Sequence, residues 1–245
     1  MATVIADSVP SRARRARSRF YVGVAFLIAA ITLAGFAPSL NASLFEGVGR
    51  PWFIHLHAAV YVGWLLLLIV QSVIAAQGRI ALHRRVGNFG IAYGCLVLVL
   101  GVIVTLAAAV VHIAAGEWTT ERGGRFLALA LGDMVLFAGF FGPAVAYRRR
   151  PEIHKRLILL ASVALMFAGV GRLWFVGEPT NVPVLLAVWY LPVILGIAYD
   201  VVTTRRVHPV YWMGAAVMGV WLVRIPFGQA DMWQSISQKL LAAFA

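Results

Sequence analysis

The chain has 245 residues, of which 62% are hydrophobic and 12% charged, and its mean hydropathy is +0.87. A soluble domain is nearer half apolar and a quarter charged, so this composition excludes a soluble globular protein and predicts an integral membrane protein with one polytopic domain. The formal charge of +12 lies in short clusters between apolar runs, without the interleaved aromatic residues of a nucleic-acid surface. We therefore expect the lipid bilayer as a partner and no nucleic acid.

In chain order, seven apolar runs are long enough to cross a membrane as helices. They cover residues 20–38, 53–76, 87–115, 126–147, 157–176, 182–200 and 209–227. The first is too long for a signal peptide and no clean cleavage site follows it, so we expect a signal anchor. The third is about 29 residues long and should tilt or project into the aqueous phase. The predicted fold is an all-α bundle of about seven spans.

Two short segments flank the predicted membrane domain, residues 19–228. Residues 1–18 are polar and Arg-rich, which predicts a basic cytoplasmic tail, disordered or lying on anionic lipid. Residues 229–245 carry Trp233, Ile236, Leu240 and Phe244 at helical spacing, which predicts a short amphipathic helix. That helix either lies on the outer membrane surface or packs on the bundle.

The distribution of positive charge predicts the orientation of the bundle. Fifteen of the 21 lysines and arginines lie in the N-terminal segment and in the connections after spans two, four and six. The remaining six lie on the opposite side. The positive-inside rule then places the N-terminus in the cytoplasm and the C-terminus outside.

Three ionisable residues in or near the apolar runs are candidates for function, because such groups are costly in a membrane. Asp133 lies in span four, about 12 Å below the outer end, and Arg172 and Arg224 lie about one turn inside the outer ends of spans five and seven. One interpretation is a polar cavity that opens to the outer side. The alternative is a structural Asp–Arg pair that holds helices together, with partly snorkelling arginines.

Helical phase adds polar and aromatic candidates on span two. At about 100° per residue one face carries His57, Tyr61, Trp64, Leu68 and Gln71, while His55 points the other way. His55 and His57 therefore do not form a two-ligand clamp on a regular helix. We assign Tyr61, Trp64 and Gln71 to the predicted polar cavity.

One face of span three is built from small residues. It carries Gly87, Gly94, Gly101, Thr105 and Ala108 and ends at His112. Such a face allows the close approach of another helix, which is its commoner use, or of a flat cofactor.

The histidines fall at two levels of the predicted bundle. His57 begins span two and His112 lies near the end of span three, at the outer level; His83 and His154 lie at the cytoplasmic level. Imidazoles paired in this way can ligate two b-type haems or a metal ion. The alternative is that they are ordinary interfacial histidines, since charged residues flank both members of the inner pair.

The sequence lacks the common signatures of catalysis. It contains no HExxH metal motif, no P-loop and no GxSxG nucleophile elbow. Span seven contains no lysine that could hold retinal, and the single cysteine, Cys95, excludes an intramolecular disulfide and a cysteine metal cluster. We assign no catalytic residue.

Two basic, histidine-containing segments carry a resemblance to known families. "GRIALHRR" at 78–85 and "RRPEIHKRLILLAS" at 149–162 are similar to segments of small bacterial inner-membrane proteins of the cytochrome c oxidase assembly type. More loosely, "HLHAAVYVGWLLLLIVQSVI" at 55–74, followed by "LHRR", resembles the four-helix b-type cytochromes of the transmembrane reductase class. The resemblance covers spans two to five. It implies haem b as cofactor, with ligand roles for His57, His83, His112 and His154, and a respiratory-chain protein as partner.

These observations predict a multi-pass protein of the bacterial inner membrane that is redox- or haem-associated through histidines at two levels. A second hypothesis is a non-catalytic assembly factor or a small transporter with an outer polar cavity around Asp133. A third is a purely structural role without a ligand.

Overall fold

The computed structural model describes residues 11–45, 49, 51–173 and 181–244. Within these ranges the chain forms nine α-helices and no β-strand. The helices are α1 (Ser11–Phe45), α2 (Trp52–Ala76), α3 (Ile80–Ala114), α4 (Thr120–Ala146), α5 (Pro151–Val170), α6 (Val182–Thr204), α7 (Pro209–Trp221), α8 (Arg224–Phe227) and α9 (Asp231–Ala242).

The predicted all-α membrane fold is confirmed. Seven stretches of the described residues are long and apolar enough to cross a membrane, and the seventh runs through α7 and α8. The long third span is longer than predicted, because α3 has 35 residues and includes the basic turn around His83. The predicted fifth span ends at residue 176, whereas α5 ends at Val170, and residues 174–180 lie outside the described part of the chain.

Both terminal segments are partly described. α1 begins at Ser11, inside the segment predicted as a basic tail, and residues 1–10 lie outside the described residues. The predicted C-terminal helix is α9, which packs on α4 and α3. Trp233 Nε1 donates to the Gly124 carbonyl oxygen at 2.7 Å, and Leu241 is buried in a small cluster with Leu127. The structure thus favours packing on the bundle over a position on the membrane surface alone.

Consecutive helices of the bundle pack against one another, and α5 is its centre. α5 contacts α1, α4, α6 and α7, and 72% of its apolar stretch is buried, against 17% for α2. We call the end where α2 meets α3 and α4 meets α5 the basic end, because the clusters at 79–85 and 148–156 lie there. The opposite end, where α9 packs, is the far end.

Local sequence explains several helix boundaries. The Thr119 hydroxyl accepts a hydrogen bond from the Arg122 backbone N–H and caps α4. Proline occupies the first turn of α5, α6 and α7, where its missing N–H costs nothing. Pro226 cannot donate to the carbonyl of Leu222, and the regular helix is interrupted between α7 and α8.

The small-residue face of α3 is filled by side chains of neighbouring helices. A Cβ on Gly94 would collide with the Phe141 ring, and one on Gly101 would collide with Met134 and the Tyr61 hydroxyl. This contact fits the helix-packing interpretation of the face.

The backbones of α1 and α5 approach each other closely where the two helices cross. A Cβ on Gly35 would collide with the backbone of Gly169, and one on Gly169 would lie 2.9 Å from Thr32 Cα. Neither position has room for a side chain, because the obstacle is backbone and not a movable side chain.

We predict that Gly35→Leu destabilises the protein by about 1–3 kcal/mol, as expected of overpacking. Gly23→Leu is the matched control. Gly23 lies on the same helix as Gly35, and a Cβ built on it has no other atom within 4 Å. Thermal unfolding in detergent, followed by size-exclusion chromatography, measures both. Equal melting temperatures for the two variants would contradict the close crossing.

Candidate functional site

A buried ion pair joins α4 to the end of the seventh span. Arg224 Nη2 donates to Asp133 Oδ1 at 2.6 Å, and the two side chains are 5% and 8% exposed. Asp133 lies in the middle of α4, about 20 Å along the axis from Thr120. The first six residues of α4, TERGGR, precede its apolar run. The predicted Asp–Arg pairing is therefore seen, and Arg224 supplies it.

Aromatic residues and a glycine surround this pair. A Cβ on Gly132 would lie 2.5 Å from Arg224 Cδ, so the glycine leaves the arginine room to reach Asp133. Trp221 Nε1 donates to the Gly132 carbonyl oxygen at 2.9 Å, and the guanidinium lies 4.6 Å from the centroid of the Phe167 ring. These contacts exclude water from the pair, which strengthens the attraction between the two charges.

Tyr61 and His57 extend the polar group towards the far end. The Tyr61 hydroxyl donates to the Val97 carbonyl oxygen at 3.2 Å and interacts electrostatically with Asp133. The His57 ring lies 4.1 Å from the Tyr61 ring, and His57 Nδ1 is buried without a hydrogen-bond partner. An unpartnered imidazole nitrogen inside a membrane bundle is a candidate for proton exchange or ligand contact.

Arg172 also belongs to this group, but it lies beyond the end of α5 and not inside span five as predicted. It follows the last residue of α5, is exposed, and donates from Nη1 to the Ala168 carbonyl oxygen at 2.6 Å. Its guanidinium lies 4.7 Å from the centroid of the Phe36 ring and interacts electrostatically with both His57 and Asp133. Five residues therefore form what we call the far-end cluster: His57, Tyr61, Asp133, Arg172 and Arg224.

Two residues assigned to the polar cavity lie elsewhere. Trp64 is in the core, where Nε1 donates to Ser162 Oγ at 3.3 Å and the ring packs edge-on against Phe137. Gln71 lies at the basic end, where its Nε2 donates to the His83 carbonyl oxygen at 3.2 Å. Tyr61 and Gln71 both lie on α2, as predicted. Gln71 is ten residues beyond Tyr61, however, which separates the two side chains by about 15 Å along the helix.

The outer histidines are in separate surroundings. His112 Nδ1 contacts Glu117 Oε2 at 2.5 Å, and its ring stacks on Trp118 with centroids 4.4 Å apart. His57 instead packs on Tyr61. The structure shows no contact between His57 and His112 among the described residues.

The inner histidines do come together. The rings of His83 and His154 lie 6.4 Å apart between centroids and are nearly perpendicular, at 81°. His83 Nδ1 contacts the Gln71 carbonyl oxygen at 3.3 Å, and His154 Nδ1 contacts the Ala144 carbonyl oxygen at 2.8 Å. We call these two residues the histidine pair.

The partners of the pair fix the form of each imidazole. A carbonyl oxygen only accepts hydrogen bonds, so Nδ1 carries a proton in each ring and Nε2 is the nitrogen left for a ligand. The same bond to a backbone carbonyl orients the histidine ligands of many metal sites. No group of three or more His, Cys, Asp or Glu side chains among the described residues could hold a metal ion. The histidine pair could therefore supply two protein ligands.

A second buried ion pair, at the basic end, was not predicted. Arg156 donates to both carboxylate oxygens of Asp200, at 2.5 and 3.2 Å, and to Glu152 Oε2 at 2.8 Å. Asp200 also accepts from the His208 backbone N–H at 3.1 Å. Burial, followed by the charge of Arg156, lowers the pKa of His208. The signal in the sequence was Asp200 itself, a lone carboxylate near the end of an apolar run.

No protein-family model, curated protein or solved structure matches this chain. The histidine pair offers two imidazole Nε2 atoms, which suit a transition metal or a haem iron. The far-end cluster offers a buried carboxylate, a phenol and an imidazole, which suit proton exchange, ligand contact or helix association.

We predict that Arg224→Met destabilises the protein by about 3–5 kcal/mol, because it leaves Asp133 buried and uncompensated. Arg125→Met is the control. It removes the exposed ion pair of Arg125 and Glu121 on α4, the helix of Asp133, in which the charged atoms are 3.1 Å apart. This change should lower the free energy of unfolding by less than about 1 kcal/mol.

The double variant Asp133→Leu/Arg224→Met tests the same pair from the other side. It should be more stable than Arg224→Met alone, since no buried charge remains. Reversible unfolding in mixed detergent measures all the variants. A double variant less stable than the single one would contradict a compensated buried pair.

Proposed function

We propose that this chain is a multi-pass protein of the bacterial inner membrane, with its N-terminus in the cytoplasm, that binds haem b through His83 and His154 and serves in electron transfer. The observation that carries the proposal is the histidine pair. A respiratory-chain protein is the proposed partner, in line with the resemblance of the two basic segments.

The spacing of the pair supports a single iron between the rings. Two imidazoles that bind one metal from opposite sides, with bonds of about 2 Å each, place their ring centroids about 6 Å apart. The observed separation is 6.4 Å. Each ring is already held in the tautomer that leaves Nε2 as the ligand atom.

The charges at the basic end support a haem in particular. Arg84 interacts electrostatically with His83. An arginine so near one of the ligands would pair with a propionate group of a haem. A bound haem would supply one-electron chemistry. The protein residues would set its position and its exposure to water.

We expect the purified protein, produced with haem supplementation, to show the α-band of a b-type haem after reduction with dithionite. His83→Asn and His154→Asn should each remove the band, because asparagine keeps an N–H for the backbone carbonyl but has no Nε2. His112→Asn is the control and should retain the spectrum, since His112 lies in the separate cluster with Glu117.

Three outcomes would contradict this proposal. One is a wild-type protein without an α-band. Another is a band that survives both Asn variants of the pair. The third is a non-haem metal, found by elemental analysis, that is lost in both variants, because it would assign the pair to a different metal centre.

The far-end cluster favours a second candidate function, a small transporter or a non-catalytic assembly factor. The specific observation is that Tyr61, Arg172 and Arg224 interact with the Asp133 carboxylate in the middle of α4, and that Arg172 also interacts with His57. Membrane-embedded carboxylates of this kind mark ion and proton pathways.

If the far-end cluster moves protons, wild-type proteoliposomes should acidify faster than empty vesicles under an imposed proton gradient. Asp133→Asn should reduce the rate at least about tenfold, in line with the loss of an essential titrating group. His154→Asn should leave the rate unchanged. Wild-type rates equal to those of empty vesicles would exclude proton transport and leave only the assembly role for this candidate.

A further inference from the structure

A pocket that no part of the proposed function uses lies beside the buried ion pair. Its volume is about 270 Å³, and it lies between α4, the end of the seventh span and α9. Its walls are almost entirely apolar, and Arg224 is the only charged residue that lines it among the described residues. This volume is close to the lower end of the range for small-molecule sites, about 300 Å³, and such sites share the combination of apolar walls with few polar groups.

The polar group at the pocket is incompletely bonded. Arg224 is 5% exposed, and its Nε–H is buried without a hydrogen-bond partner, whereas Nη2 is taken by Asp133. Nε lies 3.3 Å from the position that a Cβ on Gly132 would occupy, and Gly132 also lines the pocket. An unpartnered N–H of a charged group in apolar surroundings costs free energy, which a ligand with an acceptor oxygen would recover.

Aromatic rings shape the pocket and are held in place. Trp221 and Trp233 donate from Nε1 to the carbonyl oxygens of Gly132 and Gly124, at 2.9 and 2.7 Å, so their rings have fixed orientations. The rings of Phe227 and Trp233 lie 5.2 Å apart. All three aromatic residues line the pocket and offer flat surfaces to a flat ligand.

The pocket opens to the hydrocarbon of the bilayer. Val135 and Val223 line it and are 56% and 64% exposed on the apolar surface of the bundle. Arg224 pairs with Asp133, about 12 Å along α4 from the outer end of its apolar run. A phosphate headgroup stays at the membrane surface, above this depth. An acyl chain reaches it but offers no acceptor for Nε–H.

We propose that this pocket binds a lipid-soluble quinone, with the ring among the aromatic residues and one carbonyl oxygen accepting from the Arg224 guanidinium. A quinone combines the three properties that the pocket selects, namely solubility in the bilayer, a flat ring and a neutral acceptor oxygen. The proposal concerns binding and is independent of the histidine pair, so the loss of either leaves the other intact.

The experiment is photoaffinity labelling of the purified full chain in lipid nanodiscs with an azido-substituted short-chain quinone. Labelling should be saturable, should be displaced by the unmodified quinone, and should map by mass spectrometry to residues 128–135 and 221–233. Val135→Trp should reduce the labelling at least fivefold, because the larger side chain fills the pocket from its exposed edge. Val99→Trp is the control, on an equally exposed residue of α3 outside the pocket, and should label like the wild type.

Arg224→Lys tests the hydrogen bond separately from the volume. Lysine keeps the positive charge opposite Asp133 but has no guanidinium N–H, so the apparent affinity for the quinone should fall about tenfold, the loss expected for a hydrogen bond to a charged group. Melting temperatures are measured for every variant, and a variant that does not fold is replaced by Ala128→Phe, which fills the same pocket from α4.

Four results would overturn the proposal. They are unsaturable labelling, labelling outside the two segments, unchanged labelling of folded Val135→Trp, and displacement by oleate as effective as by the quinone. The last result would assign the pocket to an acyl lipid.

Discussion

A buried charge in an apolar bundle must find its counter-charge inside the protein, because hydrocarbon offers none. Here this constraint fixes the seventh span at both ends. Asp200 accepts from the His208 backbone N–H just before α7 begins, and Arg224 pairs with Asp133 just after α7 ends. The span has the lowest mean hydropathy of the seven, 1.4, and its regular helix α7 has only 13 residues. The two ion pairs therefore stabilise a span whose own apolar burial is modest. The pair of Arg156 and Asp200 also connects this span to α5 and α6.

The two candidate sites share one physical feature, since in each a polar side chain serves packing and leaves an atom available for a ligand. His154 Nδ1 satisfies the Ala144 carbonyl, one of the four terminal carbonyls of α4 that lack an intrahelical partner. The bond closes the turn between α4 and α5 and also exposes the lone pair of Nε2. Arg224 joins α8 to α4 through Nη2 and leaves Nε at the pocket. A purely structural role explains the bonded atoms of both residues but not the unbonded ones.

Much of the fold could be predicted from the sequence, because a membrane span is encoded by the length and hydropathy of a local stretch. The errors arose at helix ends, where hydropathy is not the deciding property. The predicted fourth span begins at residue 126, whereas α4 begins at Thr120, since a threonine cap and the packing of α9 hold its polar first turns in the bundle. Arg172 lies inside the predicted fifth span but outside the helix, because α5 ends at Val170 and not at residue 176.

The candidate sites were predictable in part, because helical phase determines a face but not a depth or a partner. Phase placed Tyr61 and Gln71 on one face of α2, but only the packed bundle separates them into the far-end cluster and the surroundings of His83. Partners distant in sequence are harder still. Arg156 and Asp200 are 44 positions apart. Both lie near the end of a span, where membrane topology alone accounts for a charged residue, so the sequence provides no reason to pair them. His83 and His154 were paired correctly by level, because antiparallel neighbouring spans bring matching turns to the same end.

The unsatisfied atoms also indicate how the far end could respond to its surroundings. Arg224 interacts at once with Asp133, the ring of Phe167 and the pocket, and Arg172 links His57 to the same carboxylate electrostatically. A neutral ligand that accepts a hydrogen bond from the guanidinium would leave its positive charge in place. The ion pair with Asp133 would therefore persist, with a small change in the position of the Arg224 side chain. A charged ligand would instead have to displace Asp133 from a water-free site, which is far costlier. The ion pair that holds the seventh span therefore also selects a neutral occupant for the pocket beside it.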